Sequence, residues 1–447
     1  RRVHGERDQS AMEEGKFLDV EDLTMHLILK ILGPEDTVRV GCVNQRFRGL
    51  TSDDSLWSIF CSQELHLSSP LDPHSNRTPT FKEAYKSWRV SFLDYPWPLV
   101  LRVKACWDRL KNWLTVHLPG AADSLRTGAS ESEIAEFENS MRIKLPLPTR
   151  LLYRFVNGQN LPQSRLTASQ TLYPRGLIGG YSFYEHQIDV YLLSLQAISQ
   201  LTERMNRQLR LPRSKIVVAA SCTNSQKFFF LSCEEKQLYV GTRNLLMDGE
   251  MLPCVPSTLI SNHQDALLLW LEEHCSRLES SFISVRRNGD ATTICLFPES
   301  PPFCSTAITC GVKIRASAVF VPELSDLQNE TDKQWFSYSI RMSLSEEGCL
   351  VGGRRFESCQ LHWRRWVIRA EDEIESERNG EAVIGEYPLL RAEEREFVYQ
   401  SCTSLSKPCG SIEGGFTFVP GRLSCPAGDA FEAQVAKLPL QLPAFIY

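Results

Sequence analysis

Apolar residues at helical spacing fill the stretch from Phe17 to Cys61, which is broken once at Gly33-Pro34. Proline lacks an amide donor and disfavours helix in the residue before it, so this pair ends a first helix. Residues that can cap a second and a third helix follow, namely Asp36 or Thr37, and Ser52 or Asp53. The side chains expected to face inward on the second helix are Val38, Cys42 and Val43. A unit of about 45 residues buries too little surface to be stable alone, so the rest of the chain or a partner must cover it.

The same stretch resembles the F-box. Asp36, Val43, Arg46 and Phe47 stand at the spacing of the family motif, and Asp54-Ser55-Leu56-Trp57 follows, whereas the usual opening Leu-Pro is replaced by Leu18-Asp19-Val20. The alternative is a generic three-helix fragment of a larger α-domain. The resemblance implies a small all-α domain over residues 17–65 that binds an adaptor protein of the Skp family. The residues expected at that interface are Leu18, Leu23, Leu27, Ile28, Ile31, Val40, Val43, Phe47, Leu56 and Trp57.

Length and composition indicate an ordinary globular protein. A chain of 447 residues is long enough for roughly three domains. A net charge of −5 and a pI of about 6.1 argue against a general nucleic-acid binder. No apolar run approaches about 18 residues, so no membrane span is expected. The first sixteen residues lack the apolar core of a secretory signal, and the 15 cysteines form no Cys-x-x-Cys pair. We therefore expect free thiols and a location in the cytoplasm, the nucleus or both.

The middle of the chain resembles the SUKH superfamily, which includes the Smi/Knr proteins. Ser130 and Glu133 form a capping box, Leu145-Pro146 breaks a helix, and Asn157-Gly158 ends the next one. The resemblance implies an α+β domain over residues 81–280 that is used for protein contacts. Residues 161–176 read as a polar insertion loop, and we expect a client protein to bind there and at the turn beside it, formed by Gly179, Gly180 and Tyr181.

Beyond residue 286 the period of the apolar residues changes from helical to alternating. Residues 286–290 and 298–302 read as linkers. Apolar residues then alternate with mostly polar ones from Phe336 to Leu344, which is typical of a half-buried antiparallel strand. Several short strands with turn residues between them predict a β-sandwich over residues 298–447.

These strands resemble the ApaG domain, an immunoglobulin-like sandwich. The matching stretches include Phe336 to Met342, Gly380 to Leu389 and Gly410 to Gly414. Ala382 replaces the middle glycine of the family's Gly-x-Gly-x-x-Gly segment, which we interpret as a tight turn in preference to a phosphate loop. The adjacent basic residues Arg364 and Arg365 are a second candidate client-binding site, with selectivity for acidic partners.

No catalytic, metal or cofactor site is predicted. The sequence contains no Gly-x-Ser-x-Gly, His-Glu-x-x-His or Walker motif. His263 and His274 share the face of a predicted helix, but one neighbouring acid is too few for a metal site, and we interpret them as solvated helix residues.

An F-box, a SUKH-like domain and an ApaG domain in this order resemble plant F-box proteins of the Skp-interacting-partner group. They imply the substrate-receptor subunit of an SCF (Skp, cullin, F-box) ubiquitin ligase, which contacts cullin and RING subunits through its adaptor and recruits a client of unknown identity. The alternative is a small-ligand sensor or scaffold that the F-box tethers to the adaptor, and a third role, as an enzyme, finds no supporting motif. A ligand-induced stabilisation would separate the sensor from a pure adaptor.

Overall fold

The computed structural model describes residues 21–446 except 162–174, 185, 210–211, 213, 222–226, 262–263, 289–290 and 329–333. The chain divides into two compact units, residues 1–105 and 106–447. Among the described residues, no helix is long and apolar enough to cross a membrane. The N-terminal helices and the C-terminal β-sandwich confirm a multidomain architecture.

The first unit is helical. Its helices are α1 (Asp22–Gly41), α2 (Gln45–Leu50), α3 (Asp54–Leu65), α4 (Phe81–Ser91) and α5 (Trp97–His117), the last of which contains the boundary between the units. The sequence predicts that Gly33-Pro34 ends a first helix. In the structure Gly33, with a φ of 81°, interrupts the helical conformation, and α1 continues beyond it as a kinked element. Asp53 caps α3 by accepting a hydrogen bond from the Ser55 amide, as predicted. The expected inward face of the second helix is wrong, because Val38, Cys42 and Val43 are exposed and Thr37 is the buried residue.

The second unit begins with an α+β region. Its helices are α6 (Pro119–Ala122), α7 (Glu131–Met141), α8 (Leu147–Phe155), α9 (Leu195–Gln208), α10 (Leu245–Asp248) and α11 (Ala266–Glu279). The strands β1 (Leu125–Thr127) and β2 (Val156–Gln159) pair, as do β3 (Ser182–Phe183) and β4 (His186–Gln187). The main antiparallel sheet has the order β5 (Val190–Leu192), β6 (Lys215–Ser221), β7 (Phe228–Ser232), β8 (Leu238–Gly241) and β9 (Met251–Pro253). The predicted capping box is present at the start of α7.

The C-terminal part of the second unit is a β-sandwich. One sheet has the order β12 (Cys304–Thr309), β13 (Val312–Phe320), β14 (Gln334–Leu344) and β20 (Phe397–Leu405). The facing sheet pairs β17 (Ser358–Ala370) with β18 (Glu373–Glu381), β19 (Leu389–Arg391) and β21 (Cys409–Arg422), and β21 with β22 (Cys425–Pro426) and β23 (Phe431–Gln441). A separate hairpin joins β15 (Cys349–Val351) to β16 (Arg354–Phe356). The strand predicted from alternation at Phe336–Leu344 lies within β14.

The two stretches that read as linkers are structured. Residues 286–288 lie in β10 (Ser284–Asn288), which pairs with β11 (Ala291–Cys295). In the second stretch, Glu299 forms ion pairs with Arg286, Arg315 and Arg341. The domain boundary at residue 298 stays a prediction, and the contacts of Glu299 join residues on both sides of it.

Candidate protein-interaction surfaces

The first helix exposes large apolar side chains along one side. Leu23, Leu27 and Ile31 are 73%, 55% and 85% exposed, and they recur every four residues, so they lie in one stripe. Met25 and Leu29 on the opposite side are fully buried. Val43, between α1 and α2, is a further exposed apolar side chain. Exposed apolar patches of this kind mark contacts with other proteins. We call Leu23, Leu27 and Ile31 the apolar stripe.

Three other predicted adaptor contacts lie in the interior of the first unit. Phe47, Leu56 and Trp57 are buried. The ring of Trp57 lies 5.4 Å from the ring of Tyr85 on α4, and its indole N–H donates to the Thr51 carbonyl at 2.8 Å. Helix α4 of the same chain therefore covers the apolar face that we expected an adaptor to cover. These three residues can only support the interface from within.

The remaining residues predicted at the adaptor interface neither support nor contradict that interface. Ile28 and Val40 are half-buried. Leu18 lies outside the described residues.

The predicted turn for client binding is buried. Tyr181 is 4% exposed, and Gly179 and Gly180 are buried with it. A Cβ atom on Gly180 would lie 1.9 Å from the Ile188 carbonyl oxygen, so the close backbone approach that glycine permits is used by this chain itself. The turn is therefore not accessible for the client binding that the sequence predicts there. Most of the insertion beside it, residues 162–174, lies outside the described residues.

Tyr181 instead belongs to a buried polar cluster between the α+β region and the sandwich. Its hydroxyl donates to the Glu323 carboxylate at 2.7 Å, Nε2 of His186 lies 3.1 Å from the same oxygen, and Nζ of Lys227 lies 3.6 Å from the other one. Burial works to raise the pKa of Glu323, but Lys227, His186 and Tyr181 together hold it below its ordinary value. Sequence reasoning missed this cluster because its members are up to 142 residues apart.

The two basic residues of the sandwich do not act as a pair. On β17, Arg364 pairs with Phe416 and Gly380, whereas Arg365 pairs with Gly415 and Asn379. Successive side chains of a strand point to opposite faces of its sheet. Arg364 is therefore on the inner face with Trp366, and Arg365 is exposed on the outer face. A joint selection of acidic partners by both arginines is excluded by this arrangement.

The interpretation of His274 as a solvated residue is also wrong. It is buried, stacks on Trp270 with 5.3 Å between ring centroids, and lies 2.9 Å from the Leu177 carbonyl oxygen. Burial lowers the pKa of His274 to about 4, so the ring is neutral at physiological pH. His263 lies outside the described residues. Within the described ranges, no group of three His, Cys, Asp or Glu side chains could hold a metal ion.

The segment from Gly380 to Gly385 contains the end of β18 and the turn that follows it, as interpreted from the sequence. Ala382 adopts a φ of 63° and is buried. This left-handed conformation favours glycine, which explains why the family has glycine at the position that Ala382 occupies.

The helical unit with its apolar stripe and the C-terminal sandwich define the class of the protein as an F-box protein with an ApaG domain. The ApaG domain family matches residues 325–420. Over 440 residues the chain is 50% identical to F-box protein SKIP16 of Arabidopsis thaliana, a match that covers 96% of this chain and 99% of that protein. The chain belongs to the family of that protein.

Two more distant relatives cover different parts of the chain. F-box only protein 3 of Homo sapiens is 25% identical over 410 residues, which are 88% of this chain and 76% of that protein. Protein ApaG of Anaeromyxobacter sp. (strain K) is 32% identical over 139 residues, which are 31% of this chain and 96% of that protein.

Proposed function

We propose that this protein is the substrate-receptor subunit of an SCF-type ubiquitin ligase, in which the F-box helices bind a Skp-family adaptor and the second unit recruits a client. The single observation that carries the proposal is the apolar stripe on α1, whose side chains point away from the core of the first unit. Burying such a side chain contributes about 1.5–3 kcal/mol. An adaptor that covers the stripe gains this stabilisation, and the likeness to named F-box proteins supports the same assignment.

Catalysis in this proposal is proximity. The receptor holds its client close to the ubiquitin carrier that the cullin and RING subunits bring, and tethering turns a bimolecular encounter into an effectively intramolecular one. No residue of this chain forms or breaks a covalent bond. The proposal includes a location in the cytoplasm, the nucleus or both, in keeping with the free thiols among the described residues.

The test replaces stripe residues in the full chain and measures binding to purified Skp adaptor by calorimetry. Leu27→Asp and Ile31→Asp place a charge in the interface without disturbing the buried core, so we expect affinity to fall at least about tenfold. Matched controls come from the same unit: Leu93 and Val90 are 79% and 63% exposed but lie outside the F-box helices. Leu93→Asp and Val90→Asp should bind as the parent does.

Two results would contradict the assignment. One is undiminished adaptor binding by the Leu27→Asp, Ile31→Asp double variant. The other is an equal loss of binding in the Leu93→Asp control, which would move the contact away from the stripe.

A small-ligand sensor is the second candidate. It is favoured by a groove of about 460 Å³ on the sandwich, lined by the end of β14 and by residues 386–391 and 394–397. This volume is in the range of ligand sites. A cellular metabolite that raises the melting temperature of the second unit, and fails to do so after Tyr387→Asp in the groove, would support the sensor role.

A further inference from the structure

Among the described residues, five buried polar atoms of the sandwich have no hydrogen-bond partner, and three of them belong to one group of side chains. These three are Nε of Arg364, Nε1 of Trp366 and the hydroxyl oxygen of Tyr399. Trp366 and Tyr399 are each only 3% exposed. A single unsatisfied buried donor is costly and needs an explanation, and these three all belong to one side of the sandwich interior.

The topology brings these donors together. Arg364 and Trp366 are two residues apart on β17 and so share its inner face. Tyr399 lies on β20 of the facing sheet. Rings connect the two sheets: the centroid of Trp366 lies 5.1 Å from that of Phe416, and Phe416 lies 6.4 Å from Tyr399. The Tyr338 ring lies 6.0 Å from that of Trp366 and 6.4 Å from that of Tyr399, and we call these four rings the box.

The box is open beside Arg364. The residue that pairs with Arg364 on the neighbouring strand is Gly380, and a Cβ atom there would meet nothing within 4 Å. Strands β18 and β20 are the last strands of their sheets on this side. The turn around Ser182 and Tyr184 lies against β20, where the Tyr184 hydroxyl is 3.0 Å from the Ser401 hydroxyl. The Arg364 side chain is half-buried, so part of its surface meets solvent.

Arg364 differs from the other arginines of the sandwich interior. Arg341 and Arg315 both form ion pairs with Glu299. Arg364 has no carboxylate partner within the part of the chain that the structure describes. Arg364 thus faces inward beside two neutral donors and has no counter-charge. A negatively charged acceptor would complete this group.

We propose that Arg364, Trp366 and Tyr399 form a binding site for an oxyanion, the carboxylate or phosphate group of a ligand or of a partner segment. The guanidinium fork matches both groups and can bind them through two parallel hydrogen bonds. The indole of Trp366 interacts with the Tyr399 hydroxyl, and together they place a neutral donor beside the guanidinium. Burial raises the pKa of Tyr399 well above its ordinary value, so the phenol keeps its proton and can donate as well. The site is independent of adaptor binding by the F-box helices.

The test observes the indole N–H of Trp366 in the full chain. In a nitrogen-15 correlation spectrum its peak is assigned by its loss in Trp366→Phe. Inorganic phosphate, acetate and a short peptide that ends in aspartate are then titrated separately. We expect a saturable shift of the Trp366 peak with at least one of them, and Arg364→Gln should weaken that binding about tenfold or more. Tyr399→Phe, which removes only the hydroxyl, should weaken it less.

Arg365→Gln is the matched control, since it removes the same charge from the opposite face of the same strand. It should leave the titration unchanged. Saturation by phosphate alone identifies a phosphate ligand, and saturation by acetate or the peptide identifies a carboxylate. A Trp366 peak that moves with none of the probes would overturn the site and leave a buried water as the partner of the donors. A shift that is equal in the parent and in Arg364→Gln, whose fold is checked by its melting curve, would also overturn it.

Discussion

In the N-terminal helical unit large apolar side chains face outward, whereas in the C-terminal unit charged side chains lie in the interior. The apolar stripe of Leu23, Leu27 and Ile31 is exposed, while the side chains of Glu323 and Lys227 are each 4% exposed. The first arrangement gains free energy when a partner covers it. The second arrangement stabilises the fold only if its charges stay paired, because an unpaired buried charge is strongly destabilising. The apolar stripe therefore favours a covering partner, whereas the Glu323 cluster favours one fixed arrangement of the residues around it.

The sharpest test of the comparison separates the exterior of the first unit from its interior. Trp57→Ala removes a fully packed ring and leaves the Thr51 carbonyl without its indole donor. We expect a loss of about 3–5 kcal/mol in the free energy of unfolding of this unit, measured by denaturant titration. Leu27→Asp, on the apolar stripe, should change it by less than about 1 kcal/mol. If the two variants were equally destabilising, the stripe would belong to the core.

The matching test in the second unit removes one partner of a buried ion pair. Lys227→Met leaves Glu323 without its ammonium partner, and we expect the unfolding free energy to fall by about 3–5 kcal/mol. The Lys227→Met, Glu323→Leu double variant should recover much of this loss, because no buried charge then remains unpaired. A single variant as stable as the parent would show that the interior charges are dispensable and would remove the contrast between the units.

Sequence reasoning located elements better than it located contacts. The break at Gly33, the cap at Asp53 and strand β14 followed from local rules, since capping and alternation depend on near neighbours. Periodicity also placed Trp57 on an apolar face, but it could not show that α4 covers that face. The pairing of β10 with β11 was missed because residues 286–290 have the composition of a linker.

One missed feature had a signal in the sequence. Arg364 and Arg365 are adjacent in a stretch with strand character, and alternation alone would have put them on opposite faces. The Glu323 cluster had none, because partners far apart in the chain are brought together only by the tertiary fold.

Some interior carboxylates of the second unit have a cationic partner at contact distance and others do not. The pH dependence of stability should differ between these two kinds of carboxylate. Asp189 accepts hydrogen bonds from the Gly176 amide and the Tyr191 hydroxyl, and burial raises its pKa to about 6 from 3.8. A carboxyl whose folded-state pKa is raised binds its proton more tightly when folded. The fold should therefore become more stable as pH falls from above 6 towards 3.8, by up to about 3 kcal/mol.

Asp189→Asn tests this directly. In denaturant titrations at several pH values, the unfolding free energy of the parent should rise relative to that of the variant on acidification through this range, as the parent becomes neutral like the variant. A difference that stays constant with pH would mean that Asp189 keeps an ordinary pKa. Glu323, whose pKa is lowered, should behave in the opposite sense: its contribution is present above its unfolded pKa and is lost as pH falls through the folded value.

The smallest effect concerns exposed polar contacts, which should matter little in either unit. Ser130 accepts a hydrogen bond from the Glu133 amide through its side chain at 3.2 Å, and its own amide donates to the Glu133 carboxylate at 2.7 Å. Ser130→Ala removes the first bond together with the exposed contacts of the Ser130 hydroxyl to the Glu133 carboxylate and the Ser132 hydroxyl. It should cost about 1 kcal/mol, as for other helix N-caps. Ser62→Ala, in the exposed interior of α3, is the matched control and should be neutral or slightly stabilising because alanine has the higher helix propensity. A loss at Ser130 as large as that of Lys227→Met would mean that the start of α7 holds the second unit together as firmly as its buried charges do.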